Sequence, residues 1–142
     1  MASLHIGAGP VSRLSIIIAG VLDAALVLLF AAIGRLSHGE SLAGLGVTYW
    51  PFLGGLIIGW LLLHAWRHPV SIVWTGLGIW IATVAGGLVL RFISGQGVQL
   101  SYAIVTTIVL GVFLLGWRAI AALVRQVSRK RMPTPSSNGM PV

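Results

Sequence analysis

Charged residues interrupt this chain only at long intervals, and the stretches between them are apolar. Residues 14–34 carry no charge except Asp23, and residues 41–66, 68–90 and 92–117 contain no Asp, Glu, Lys or Arg. A helix needs about 20 mostly apolar residues to cross a bilayer. The pattern therefore predicts four transmembrane helices, near 14–35, 49–66, 71–92 and 101–124. No stretch alternates with period two, so the strands of a lipid-facing barrel are not indicated. Gly39, Gly44 and Gly46 break the chain after the first helix. His68-Pro69 makes a tight second connection, because the residue before proline avoids helical backbone. Ser94-Gly95-Gln96-Gly97 makes the third. Connections this short make successive helices antiparallel neighbours.

Composition agrees with lipid as the solvent. Hydrophobic residues make up 57% of the 142 positions and charged residues 8%, where a soluble domain carries about 25% charged residues. The nine Lys and Arg residues against Asp23 and Glu40 give a net charge of +7. Such a balance often marks nucleic-acid binding. Here the basic residues fall singly at hydrophobic boundaries, with a cluster only near the C-terminus, which is the pattern of membrane topology. With no cysteine, disulfides, thiolate metal sites and thiol chemistry are excluded. The first apolar stretch is too long for a signal-peptide core, and no small-x-small cleavage site follows it, so it is read as retained.

The Lys/Arg bias sets an expected orientation. With the N-terminus inside, Arg13, Arg67, Arg125, Arg129, Lys130 and Arg131 face the cytoplasm and Arg35 and Arg91 face outward. Six against two favours both ends in the cytoplasm of a cell-membrane protein. The expected organisation is a cytoplasmic segment over 1–13, a four-helix domain over 14–124, and a tail over 125–142. That tail starts basic and ends in a stretch with too few bulky apolar groups to fold. Its Arg125, Arg129, Lys130 and Arg131 suit anionic lipid headgroups, at about 1 kcal/mol each; serving as a topology signal is the simpler role. Trp50 and Trp66, at the expected ends of the second helix, suit interfacial anchoring.

Asp23 is the residue whose position asks most for an explanation. It lies ten residues in from Arg13 and twelve from Arg35, where an ionised group needs a partner or water. Arg118 is the expected partner. The apolar run continues past it to Arg125, which places Arg118 about 10 Å and Asp23 about 15 Å inward from the same face at 1.5 Å per residue. The simpler role is a buried pair that fixes helix register, and the functional alternative is a proton or cation site. Without Arg118, a hydrogen-bonding residue such as Trp80 is the fallback partner. At the opposite face gather Arg35, His38, Glu40, Arg91, Gln96 and Gln99. They suit an anionic headgroup or solute, or equally the capping of helix C-termini, where cations complement the dipole.

Other motifs carry less. Gly55 and Gly59 form a small-xxx-small pair that serves internal packing or homodimerisation. Trp60, Trp74 and Trp80 read as core. His64 and His68 are spaced i,i+4, but Pro69 disrupts the helix there, so no metal site is expected, and no cofactor. Arg35-x-x-x-Gly39-Glu40 and Arg91-x-x-x-Gly95-Gln96 share a pattern at an offset of 56 residues, as in a duplicated helical hairpin.

Four segments together resemble a known family. They are Asp23–Glu40 (DAALVLLFAAIGRLSHGE), Tyr49–Gly55 (YWPFLGG), Arg91–Gln99 (RFISGQGVQ) and Phe113–Arg118 (FLLGWR). The resemblance, over about residues 20–120, is to small prokaryotic membrane proteins grouped as a domain of unknown function, numbered thirty fifty-four. Val98 and Tyr102 stand where that family often has Thr and Phe. The resemblance implies an integral membrane protein in which Asp23, Arg35, His38, Arg91 and Arg118 belong to the shared pattern, and it implies no mechanism. No catalytic motif is present. The expected function is a non-enzymatic accessory or scaffold protein, as a homodimer or in a larger membrane complex. The alternative is a small proton- or ion-coupled transporter working as a dimer around Asp23.

Overall fold

A computed structural model describes residues 11–131, and it is helical with no strand among those residues. The four helices are α1 (Arg13–Ser37), α2 (Leu45–Leu62), α3 (Leu77–Ile93) and α4 (Leu100–Arg131). Each helix, with the turns that lead into α2 and α3, is long and apolar enough to cross a membrane. α1 packs on α2 and α4, and α3 packs on the same two, closing a four-helix bundle. The ends Arg13 and Arg131 define a terminal end; the α1–α2 and α3–α4 connections form the distal end.

The exterior is apolar, unlike that of a soluble bundle, and several polar side chains lie inside. Leu14, Ile17, Val73, Leu100 and Ile120 are each at least 60% exposed, whereas Asp23, Thr75, Thr83, Thr106 and Arg118 are fully buried. Water would penalise that outer surface, and lipid does not. The apolar interior joins Val27 and Phe30 of α1, Phe52 and Leu56 of α2, Ile79 of α3, and Leu110 and Leu114 of α4. This is an integral membrane four-helix bundle.

The closest helix contact is α2 on α3. A Cβ on Gly55 would lie 2.8 Å from the Gly87 nitrogen and the Thr83 carbonyl, and one on Gly59 would lie 2.8 Å from the Ala82 Cβ. The Gly55–Gly59 face is thus filled by α3 of the same chain. Of the two roles expected for this motif, internal packing is the one observed, and the face is not free for a second copy.

Helix ends depart from the sequence expectation in four places. α2 starts at Leu45 rather than 49, so Trp50 lies inside the helix rather than at its start. It stops at Leu62 rather than 66: His64 takes left-handed backbone (φ 50°), and a 3₁₀ turn, Ala65–Arg67, leads to Pro69. α3 is entered through a π-turn, Ile72–Gly76, closed by Gly76 N–H donating to the Ser71 carbonyl at 2.8 Å. α4 does not end at 124. It continues through Arg125 to Arg131, and the basic cluster forms its last turns, where cations complement the helix dipole. The expected segments over 1–10 and 132–142 lie outside the described residues.

Candidate functional site

Ser12 starts α1 by accepting the Ser15 N–H on its Oγ at 3.1 Å. From that start, three turns of helix carry Asp23 to the bundle interior, fully buried. Four N–H groups converge on its carboxylate. Arg118 donates through Nη1 to Oδ1 at 2.8 Å and through Nη2 to Oδ2 at 2.7 Å. Trp117 Nε1 donates to Oδ1 at 2.8 Å and Trp60 Nε1 to Oδ2 at 3.0 Å. Each oxygen therefore accepts two hydrogen bonds, the arrangement an ionised, acceptor-only carboxylate satisfies. The two parallel guanidinium bonds form the bidentate fork that arginine offers and lysine does not.

Arg118 is equally enclosed. Nη1 also donates to the Leu114 carbonyl at 2.9 Å, Nε donates to the Pro69 carbonyl at 3.1 Å, and the guanidinium carbon lies 4.5 Å from the Trp117 ring centre. The unwound segment between α2 and α3 brings the Pro69 carbonyl to Arg118. Such backbone is tolerated at membrane depth where protein buries it. Gly76, at the end of the π-turn, lies against the arginine stem: a Cβ there would be 3.2 Å from Arg118 Cδ.

A second polar constellation occupies the distal end. Arg35 donates through Nε to the Ser41 carbonyl at 2.8 Å and through Nη1 to Thr48 Oγ1 at 2.9 Å, and Nη1 pairs with Glu40 Oε2 at 2.9 Å. Arg91 donates through Nε to the Gly97 carbonyl at 3.0 Å and through Nη1 to Gln96 Oε1 at 2.9 Å, and stacks 4.5 Å from the Tyr102 ring centre. The backbone repeats as well. Glu40 N–H donates to the Arg35 carbonyl as Gln96 N–H does to that of Arg91, and Gly39 and Gly95 both take positive φ, 70° and 78°. Both arginines thus serve the capping role, each tying its helix C-terminus to the following loop. Between the two corners lies a cavity of about 410 Å³ lined by Arg35, His38, Glu40, Arg91, Gln96 and Gln99, and by Tyr102 and Thr106 of α4.

The structure therefore brings Asp23 to Arg118 and gathers the whole expected distal cluster around one cavity. Of the three tryptophans expected in the core, Trp60 and Trp80 pack against it and Trp74 does not. Trp60, expected in the core, and Trp117, not singled out at all, complete the carboxylate's shell. Trp80, the expected fallback, instead donates to the Thr107 carbonyl at 2.9 Å, and Trp74 is 61% exposed. A signal was present: an indole N–H in an apolar helix must find an acceptor, and Asp23 is the sole carboxylate inside the apolar spans. Among the described residues no three of His, Asp and Glu gather in a metal-holding group.

No curated protein and no solved structure matches the chain. Residues 20–121 match a protein family described as "protein of unknown function (DUF3054)". The matched span runs from the turn before Asp23 to just beyond Arg118 and so contains the charge pair and both distal corners. Covering most of the chain, that match makes this protein, itself an integral membrane four-helix bundle, a member of the DUF3054 family.

Proposed function

We propose that the protein is a non-enzymatic accessory or scaffold protein of the cell membrane, both termini cytoplasmic, in which Asp23 and Arg118 hold the bundle together and transport nothing. The observation that carries this reading is the saturation of Asp23. Both oxygens accept two N–H bonds and the residue has no exposed surface. With all four acceptor positions taken and no exposed surface, this arrangement supports a structural role for Asp23 over a proton or cation site. With its intramembrane charges engaged in register, what such a bundle presents to other molecules is its long helical exterior and its polar ends. Orientation rests on Arg13, Arg67 and the basic end of α4 gathering at the terminal end, opposite Arg35 and Arg91.

Purified protein in liposomes under an imposed pH or cation gradient tests the reading. The expected result is no flux beyond protein-free vesicles, together with recovery of the protein from native membranes, in mild detergent, in an assembly of fixed stoichiometry. Flux that disappears in Asp23→Asn, with the bundle still folded, would establish the transporter reading instead.

A further inference from the structure

The two distal corners are one local structure built twice, and they differ in charge. In the first, the residue five positions after the arginine is Glu40, which neutralises Arg35. In the second it is Gln96, which accepts the same hydrogen bond and carries no charge. Among the described residues no carboxylate pairs with Arg91, and its Nη2 meets no acceptor. An uncompensated guanidinium therefore borders the cavity. Tyr102 and Thr106 belong to the wall of the same cavity, with the Tyr102 ring under the Arg91 guanidinium and the two hydroxyls buried beside each other. A guanidinium with a free N–H and no carboxylate on it, at the edge of a cavity, marks a place for an oxyanion.

Phe30, Ala31 and Val105 also line the cavity, and each lies five or more residues from its helix's distal end, about 7 Å deeper in the bundle. The cavity holds about 410 Å³, more than ten times a water's share of about 30 Å³. That is more room than an isolated oxyanion fills, and its deeper part is apolar. We propose that this vestibule binds the phosphate group of an anionic amphiphile, a phospholipid headgroup with its first methylenes. Arg91 is the charge anchor, and the apolar part of the lining takes the chain. This assignment does not depend on the reading of Asp23.

The test is calorimetric titration of the purified full chain in non-ionic detergent with short-chain phosphatidylglycerol, short-chain phosphatidylcholine and inorganic phosphate. Saturable one-to-one binding of phosphatidylglycerol is expected, with phosphatidylcholine weaker and inorganic phosphate weaker still. Gln96→Glu gives the second corner the carboxylate of the first, keeps its hydrogen bond, and should weaken phosphatidylglycerol binding roughly tenfold or more, the worth of one charge-assisted bond. Glu40→Gln, which frees Arg35, should strengthen it. Replacing Arg125, Arg129, Lys130 and Arg131 by Gln should leave the saturable site unchanged, because that cluster lies at the other end. Thermal melts by circular dichroism establish that each variant is folded, and Arg91→Gln supplies a second route to the same loss. Unchanged affinity in folded Gln96→Glu and Arg91→Gln, or loss confined to the α4 variant, would overturn the proposal. Inorganic phosphate binding as tightly as the lipid, with the same Gln96→Glu sensitivity, would overturn the amphiphile and leave a site for a free anion.

Discussion

Replacing Asp23 by Asn should destabilise the bundle strongly, and a second replacement should recover much of the loss. In Asp23→Asn the guanidinium keeps the Pro69 and Leu114 carbonyls but loses its counter-charge, and the new amide places N–H donors where N–H donors already point. Removing one partner of a buried ion pair costs about 3–5 kcal/mol. Arg118 lies seven residues from Arg125, about 10 Å from the interface, so movement of its side chain toward the terminal face draws the cost to the lower part of that range. Arg118→Met leaves the carboxylate two indole donors in place of four N–H groups, and two charge-assisted bonds of about 1.5–3 kcal/mol each are lost. In the double variant no buried charge remains, and the Asn carbonyl can still accept from one tryptophan. The coupling between the two sites should therefore reach about 2–3 kcal/mol, the upper part of the range for contacting residues. The assay is reversible unfolding in mixed micelles by titration with a denaturing detergent, followed by circular dichroism and tryptophan emission. Losses in the single variants that add to within about 0.5 kcal/mol in the double variant would refute the pairing.

Three further outcomes follow from the same geometry. Trp117→Phe and Trp60→Phe each remove one N–H from the carboxylate and should cost about 1.5–3 kcal/mol in the same unfolding assay, less than Asp23→Asn; no loss in either would mean the indoles pack beside Asp23 without supporting it. Gly55→Ala drives a methyl into the α3 backbone and should cost about 1–3 kcal/mol as overpacking, whereas Gly34→Ala, with nothing within 4 Å of the new methyl, should be neutral or stabilise by up to about 1 kcal/mol by helix propensity; equal melting temperatures for the two would contradict the α2–α3 contact. Ser37→Cys, at the distal end, should react with a membrane-impermeant thiol reagent added to intact cells, and a reporter fused after Val142 should read cytoplasmic; the reverse pair of signals would invert the proposed orientation.

The number of helices and the Asp23–Arg118 pair were legible because both follow from scarcity. Few charges divide the chain, and a single carboxylate inside the apolar spans at the depth of a single arginine leaves little choice of partner. The distal cluster was legible for the same reason, since four antiparallel helices bring alternate connections to one face. Helix ends were less so. Gly44 ends the connection as expected, but Gly46, also expected to break the chain, lies in the first turn of α2, which starts at Leu45 with the Arg35 guanidinium against Gly44, a tertiary contact that local propensity does not contain. The early end of α2 at Leu62 has the same origin: its irregular continuation supplies the Pro69 carbonyl to Arg118, an acceptor whose use depends on a helix 49 residues away in the chain. The basic run after Arg125 reads as tail by hydropathy, but nothing in it breaks a helix, and α4 extends through it.

The central claim is that Asp23 and Arg118 form a closed pair inside the bilayer-embedded bundle, and a distance measurement in lipid tests it most directly. Protein labelled with ¹³C at aspartate and ¹⁵N at arginine side chains, reconstituted in bilayers, contains just Asp23 and Glu40 as acidic residues, so the Asp23 carboxyl carbon is resolved without ambiguity. With Nη–Oδ separations of 2.7 and 2.8 Å, its carbon–nitrogen dipolar dephasing should be strong, and it should vanish in Arg118→Met. No dephasing at that carbon in wild-type protein whose helices are intact would contradict the account.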